Sequence, residues 1–228
     1  MIRLVISGCY GKMGKRINAL ASADKEFKIA GAIEVGDNPE VIKEADVLVE
    51  FTNPAATCEH LDLAVKYKKA AVIGTTGLEA QQVQKVKQAS GNIPVLFSPN
   101  MSLGVNLVFR LVKEAAQKLG AGYKADIVEA HHVHKKDAPS GTAKRLADLI
   151  KQAPGREKEE VKIDSIREGE IVGEHQVSFE SAQDTITIKH SAKTRDVFAR
   201  GALEAAKFLI KQKPGLYDMQ DVIESRKK

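Results

Sequence analysis

The sequence predicts an α/β fold in two parts: a parallel sheet with helices on both faces, followed by an α+β region built on a mixed, open sheet. Three observations carry this prediction. The first hundred residues alternate apolar strand-like runs with amphipathic helical segments. A glycine-rich turn joins the first run to the first helix. Beyond the loop APGREKEE, three strand-like runs follow one another with few helical breaks.

IRLVIS, FKIAGAI, DVLVEF, AAVIG and IPVLF read as successive strands centred near residues 4, 30, 48, 72 and 95. Helices fall between them. One follows Gly11 through Ile17 and Leu20; another follows Pro54 with Cys58, Leu61 and Val65 on one face; a third starts at Glu79 and carries Val83 and Val86. From Leu103 the pattern changes to a long helix through Leu107, Leu111 and Ala115, so a second domain is expected to begin there. Asp126 to His134 (DIVEAHHVH) has the alternation of a strand, and Ala143 to Gln152 places Ala143, Leu146, Ala147 and Ile150 on one helical face. VKIDSIR, IVGEHQVSFES and DTITIKHSA complete the second sheet, and a helix from Val197 to Ile210 is stopped by Lys213-Pro214-Gly215. Hinges are expected near Ser102 to Gly104 and Arg200 to Gly201, where the chain crosses between domains.

Composition narrows the class. With 228 residues and 43% hydrophobic content the chain can bury a substantial core as one large or two modest domains. It contains no apolar run long enough to span a membrane, and MIRLVISG enters a strand directly without a signal-peptide cleavage site, so a cytoplasmic location and no membrane partner are expected. Cys9 and Cys58 show no CxxC spacing, which argues against a disulfide framework or a zinc ribbon. The net charge of +5 is spread over helices and the tail Arg226 to Lys228 without aromatic interleaving, so no nucleic-acid partner is expected. Attraction of a small dianion or a dinucleotide accounts for the sign.

Two regions carry chemistry. Gly8-Cys9-Tyr10-Gly11-Lys12-Met13-Gly14 follows the first strand and opens the first helix, the context of a dinucleotide-binding turn. Its spacing, GxxGxxG, departs from the usual GxGxxG and also fits a plain strand-to-helix turn with glycine at positive φ. Glu34 ends the second strand, where an acidic side chain can accept from ribose hydroxyls, and Gly74-Thr75-Thr76-Gly77 and Ser98-Pro99-Asn100-Met101-Ser102 end strands at the same sheet edge. Together they favour a nucleotide cleft over three unrelated turns.

The second region is EAHHVHKKDAPSGTA, Glu129 to Ala143. A period of two sends Glu129 and His131 to one face and His132 and His134 to the other, which argues against convergent zinc ligands; no metal is expected. Pro139 and Gly141 punctuate the chain, and Ser140 and Thr142 can cap the helix that follows, whose N-terminus favours an anion. Lys135 and Lys136 alone fit a solvated basic face; beside imidazoles and a helix N-terminus they make a receptor for a small carboxylated substrate, with a proton donor in reach.

GCYGKMG, VEFTNP at Val49 to Pro54, VIGTTG at Val72 to Gly77, SPNMSLGVN at Ser98 to Asn106, EAHHVHKKDAPSGTA and KPGLYDMQDV at Lys213 to Val222 resemble the 4-hydroxy-tetrahydrodipicolinate reductase (dihydrodipicolinate reductase) family of lysine and diaminopimelate biosynthesis. The resemblance covers nearly the whole chain. It implies a Rossmann-like dinucleotide-binding domain, 1–102 with 201–228, and a domain at 103–200 that binds a cyclic dicarboxylate and forms a homotetramer. It implies NADH or NADPH as cofactor, contacted by Gly8, Cys9, Tyr10, Gly11, Lys12, Met13, Glu34, Gly74, Thr75, Thr76, Ser98, Pro99, Asn100 and Met101. His131 and Lys135 are the implied catalytic pair, and His132, Lys135, Ser140, Gly141 and Thr142 the implied substrate contacts.

The chemistry is consistent with these roles. Hydride delivered to the ring carbon β to the imine of a conjugated N=C–C=C system leaves a nitrogen that needs a proton; Lys135 is the expected donor, with His131 positioning or protonating beside it. Val35 follows Glu34 where an arginine would grip a 2′-phosphate, so use of both cofactors with a bias towards NADH is expected, Lys12, Lys15 or Arg16 being the remaining candidates for that phosphate. A sensor that binds without turnover would need no proton donor. A homoserine dehydrogenase is a further alternative, and an aspartate-semialdehyde dehydrogenase would show a nucleophilic cysteine in its substrate domain; no cysteine follows Cys58.

Overall fold

The computed structural model describes residues 1–226; Lys227 and Lys228, which end the expected domain 201–228 and the basic tail, lie outside the described residues. In chain order the first elements are β1 Ile2–Ser7, α1 Lys12–Ala23, β2 Phe27–Ile33, β3 Val47–Glu50, α2 Pro54–Lys66, β4 Ala70–Ile73, α3 Ala80–Ser90 and β5 Pro94–Phe97. A short 3₁₀ turn, Pro39–Glu44, precedes β3. Then come α4 Leu103–Leu119, β6 Lys124–His131, α5 Gly141–Lys151, β7 Lys162–Arg167, β8 Gly173–Glu180 and β9 Thr185–Ala192. The chain closes with α6 Asp196–Leu209, β10 Gly215–Tyr217 and α7 Met219–Ser225.

These elements form two compact units, residues 1–103 with the segment from Asp196 onward, and residues 104–195. The first is a six-stranded sheet in the order β10-β5-β4-β3-β1-β2, parallel at every pairing. Covered on both sides, its central strands read as unbroken apolar runs, and the period of two then divides them. Leu4, Ile6, Val47 and Val49 face a cluster with Ile17 of α1 and Ala202, Ala205 and Leu209 of α6; Val5, Leu48 and Val95 face the other, with Leu61 of α2 and Val86 of α3. The terminal strand β10 is too short to stand out in sequence, but Leu216 pairs with Val95 in parallel register.

Two expectations shift here. The return to the first unit comes at Asp196, not at Gly201. Gly201 is buried inside α6, and a Cβ there would lie 1.7 Å from the Met101 carbonyl oxygen, so this glycine serves close packing within one unit rather than a hinge.

The second unit carries a four-stranded mixed sheet, β7-β6-β8-β9, with β6 parallel to β7 and antiparallel to β8, and β8 antiparallel to β9. α5 makes the crossover between the two parallel strands. Val108, Val112 and Ala116 of α4 and Leu146, Ala147 and Ile150 of α5 pack with Ala125, Ile127, Val177 and Phe179 of the sheet. The buried stripe of α4 is therefore the valine face; Leu107 and Leu111, through which the expected helix runs, are 44% and 42% exposed. The strand expected to reach His134 stops at His131, because His132 N–H donates to Ile171 O and Val133 N–H to Gly169 O, tying the segment to the β7–β8 connection.

Candidate active site

In the first unit the strand order reverses between β1 and β3, and a crevice at the carboxyl ends of such strands is where doubly wound sheets take ligands. Gly8 sits there with φ +75, and a Cβ on it would come within 2.4 Å of Phe51 O; a Cβ on Gly14 would come within 2.1 Å of Gly8 O. The turn is thus held against the end of β3 and the start of α1 by glycines that have no room for a side chain. Glu34 Oε2 accepts from Tyr10 N–H at 2.9 Å, which fastens the end of β2 to the same turn. α1 begins at Lys12 with no capping side chain and no acidic residue in its first turn, while Lys12 and Lys15 are exposed there. An uncapped, basic helix start fits a pyrophosphate.

The remaining expected cofactor contacts differ in what they offer. Tyr10, Gly11, Lys12, Thr76 and Pro99 are exposed and Met13, Glu34, Gly74 and Asn100 half-buried, whereas Cys9, Thr75, Ser98 and Met101 have their side chains buried. Ser98 Oγ donates to Asn100 O at 2.8 Å, and Met101 belongs to the core, so these two side chains are committed inside the protein. Beneath the turn lies a buried polar network not foreseen from sequence. His60 Nδ1 is 2.7 Å from Glu50 Oε2 and 3.0 Å from Ser7 Oγ; Thr52 Oγ1 donates to Glu50; Thr75 Oγ1 accepts from Thr52 N–H at 3.1 Å. It ties the ends of β1, β3 and β4 together. Arg16, a candidate for a 2′-phosphate, is instead paired with Asp196 at 2.6 Å.

In the second unit one face of the mixed sheet changes character along its length. Ala125 and Ile127 of β6 and Val177 and Phe179 of β8 are apolar and buried; in the same phase Glu129, His131 and His175 are buried and polar. Glu129 lies opposite His175 on β8 and Ser165 on β7, and His131 opposite Arg167. The β6 carboxylate thereby gathers partners from both neighbouring strands. Its Oε2 is 2.5 Å from His131 Nδ1, and its Oε1 accepts from Arg167 Nη2 at 2.8 Å and from Ser140 N–H at 3.3 Å. Burial alone would raise the Glu129 carboxyl, but hydrogen bonds from Arg167, Ser165 and His131 outweigh it and hold the group at about 2. His131 is pushed below the usual histidine range, by burial first, with Glu129 pulling the other way.

His175 stacks edge-on against His131 with centroids 5.1 Å apart, and Ser140 Oγ lies 3.2 Å from His175 Nε2. Ser140 also caps α5, accepting from Ala143 N–H at 3.2 Å. Of the expected substrate contacts, Ser140 is thus committed inside the protein, while Gly141 is exposed and Thr142 half-buried at the helix start. Lys135 Nζ is paired with Asp137 at 2.7 Å. His132 is half-buried, and its Nδ1 is buried with no hydrogen-bond partner. His134 and Lys136 are exposed.

Glu129, His131 and His175 offer ligand atoms within 4.8 Å of one another. Arg167 and His131 take the two oxygens of Glu129, so the carboxylate is engaged in a hydrogen-bonded network. Arg167 and His175 were not singled out from sequence. The available signal was that His175 falls in phase with Val177 and Phe179, which marks a titratable residue on a core face.

A doubly wound sheet with a glycine turn at its switch point is the architecture of dinucleotide-dependent enzymes, and a buried imidazole–carboxylate pair on a separate sheet suits proton transfer. The class defined is a two-part, nicotinamide-type oxidoreductase. Within it, residues 2–101 match the family described as dihydrodipicolinate reductase, N-terminus, and residues 104–223 match dihydrodipicolinate reductase, C-terminus. The chain belongs to the dihydrodipicolinate reductase family.

Curated relatives agree. A 4-hydroxy-tetrahydrodipicolinate reductase of Caldanaerobacter subterraneus subsp. tengcongensis is 44% identical, with 98% of each chain covered. That of Alkaliphilus oremlandii is 42% identical, covering 96% of this chain and 98% of the relative. Among solved structures, a dipicolinate-bound dihydrodipicolinate reductase from Paenisporosarcina sp. TG-14 has the same fold, with a TM-score of 0.82, 23% identity, and 97% and 99% of the two chains covered.

Proposed function

We propose that the chain catalyses the NADH- or NADPH-dependent reduction of 4-hydroxy-tetrahydrodipicolinate, or its dehydrated form, to tetrahydrodipicolinate in lysine and diaminopimelate biosynthesis. The carrying observation is the match of both family halves, at 2–101 and 104–223, with relatives so named aligned over nearly their whole length.

A nicotinamide, when bound, supplies a hydride; binding, orientation and proton supply fall to the protein. Gly8, Cys9, Tyr10, Gly11, Lys12 and Met13 would hold the pyrophosphate, Glu34 the adenosine ribose, and Gly74, Thr75, Thr76 and Ser98 to Met101 the rest of the cofactor. The crowded glycines at 8 and 14 and the uncapped start of α1 support this assignment. A cyclic dicarboxylate suits the start of α5, where Gly141 and Thr142 would bind a carboxylate; a Cβ at Gly141 would meet no atom within 4 Å, which leaves room for it. His132, whose Nδ1 lacks a partner, would take a further polar group of the substrate. Lys135 would protonate the ring nitrogen, with His131 beside it.

Assembly as a homotetramer and a cytoplasmic location are carried over as parts of the same reading. The open sheet supports assembly, since its outer strands β7 and β9 leave Ile166 and Ile186 43% and 39% exposed. Among the described residues no helix is long and apolar enough to cross a membrane.

Mass-spectrometric identification of the product formed from fresh substrate and NADH tests the reaction. Tetrahydrodipicolinate is expected; substrate returned unreduced would refute it.

A further inference from the structure

His131 stands beside the proton donor Lys135 in the reading above, either positioning or protonating, and the geometry around its ring separates these two roles. Glu129 is fully buried and its Oε1 is fixed by the Arg167 guanidinium at 2.8 Å, which directs Oε2 to His131 Nδ1 at 2.5 Å. Arg167 is anchored in turn, donating to Asp137 O at 2.6 Å and to Ile166 O at 2.7 Å. A carboxylate in that position can only accept, so the proton between the two belongs to Nδ1. Across the sheet, a Cβ on Gly173 would lie 3.1 Å from His131 Nε2, so a larger residue would press on that atom; glycine leaves it its space.

We propose that Arg167 and Glu129 are positioning residues that hold His131 as the neutral Nδ1–H tautomer, with a lone pair on Nε2. His131 is then a hydrogen-bond acceptor in the site, and Lys135 alone supplies the proton: its ammonium N–H bond breaks as the substrate's ring nitrogen gains hydrogen, leaving a neutral amine that takes a proton back from water. The inference rests on the reductase reading only for this last role. The charged and titratable neighbours of His131 agree with a neutral ring. Lys135 from the following loop and Arg167 from β7 oppose its protonation, His175 from β8 packs on it, and His190 of β9 stands opposite His175; Glu129 alone favours the charged form, while burial pushes the group down.

The test is the ring ¹⁵N spectrum of the unliganded, histidine-labelled full chain near neutral pH, with His131 assigned by His131→Gln. Wild type is expected to show Nδ1 protonated and Nε2 bare. In Glu129→Gln, Arg167 should keep the amide oxygen on its own side and turn the NH₂ towards Nδ1, so His131 should flip to Nε2–H. Turnover should fall about 10- to 100-fold with the KM for cofactor unchanged. Arg167→Lys, which keeps the charge, should retain the wild-type tautomer. A wild-type ring protonated on Nε2, or doubly protonated, would overturn the proposal, as would an unchanged tautomer in Glu129→Gln. Because the tautomer is read without substrate, a wrong substrate assignment would leave this result standing.

Discussion

Oε2 of Glu129 and Nδ1 of His131 lie 2.5 Å apart, two residues along one strand, with both side chains buried. A strand places residues i and i+2 on the same face, so the pair is set by local geometry, and its charge balance is set by Arg167 from the neighbouring strand. The imidazole is thereby buried and fixed, whereas Lys135 in the following loop keeps 23% of its side chain exposed and is paired with Asp137.

Lys135→Ala should lower kcat by about 10² to 10⁴ while leaving the Kd for NADH within error of wild type. The side chain's ion partner, Asp137, is in the same loop, so the fold should lose little stability. Steady-state kinetics beside a cofactor titration separate the two quantities, and wild-type turnover would remove Lys135 from the mechanism.

Stability should fall on mild acidification. His175 is held down to about 4, by burial first, with the neighbouring imidazoles of His131 and His190 and the Lys135 ammonium opposing a second positive charge there and Glu129 acting the other way. An unfolded histidine takes its proton near 6.5, so between about 6.5 and 4 the unfolded chain binds more protons and the folded state loses roughly 3 kcal/mol. Glu129, held at about 2, works in the same direction at lower pH, where its stabilisation is lost as pH drops below the usual carboxyl value of 4.5. Urea melts across this range should show the slope, and His175→Gln should flatten it; a wild-type stability independent of pH between neutrality and pH ~5 would contradict it.

Much of the layout was legible in the sequence. The five strands of the first half announce themselves as apolar runs because both faces of their sheet are covered, and Gly8 to Gly14 announces the turn because only glycine fits there. Glu129 and His131 were placed on one face by counting. Arg167 and His175 were not, since they reach Glu129 through strand pairings that span 38 residues in one case and register across β6 and β8 in the other. The strand end at His131 is hidden for the same reason: what stops it is a bond from His132 N–H to Ile171 O, a contact with a distant loop. On α4 two apolar stripes compete, and the valine stripe wins because it meets Ile127 and Phe179.

Two glycines should respond oppositely to alanine. At Gly8 the positive φ and the 2.4 Å approach to Phe51 O make a side chain costly, so Gly8→Ala should lose about 2 kcal/mol and weaken NADH binding. Gly141 has open space and an ordinary φ, so Gly141→Ala should keep the wild-type Tm while raising the substrate KM roughly tenfold by crowding a carboxylate's hydrogen bonds. Equal melting shifts for the two variants would count against the assignment.

Cofactor choice should be broad. Val35 is 93% exposed beside Glu34, and Arg16 is occupied by Asp196, which leaves Lys12 and Lys15 to meet a 2′-phosphate. Both cofactors should be used with a moderate preference for NADH, and Val35→Arg should shift kcat/KM towards NADPH by about tenfold. A hundredfold native preference for NADPH would refute this.

The central claim is that the chain is a reductase acting on a cyclic dicarboxylate imine, and the loss of NADH absorbance with freshly made 4-hydroxy-tetrahydrodipicolinate tests it most directly. Oxidation of NADH that requires this substrate, and is absent with an inert dicarboxylate analogue, is the result predicted. NADH left unconsumed by the wild-type chain, with NADPH equally untouched, would contradict it.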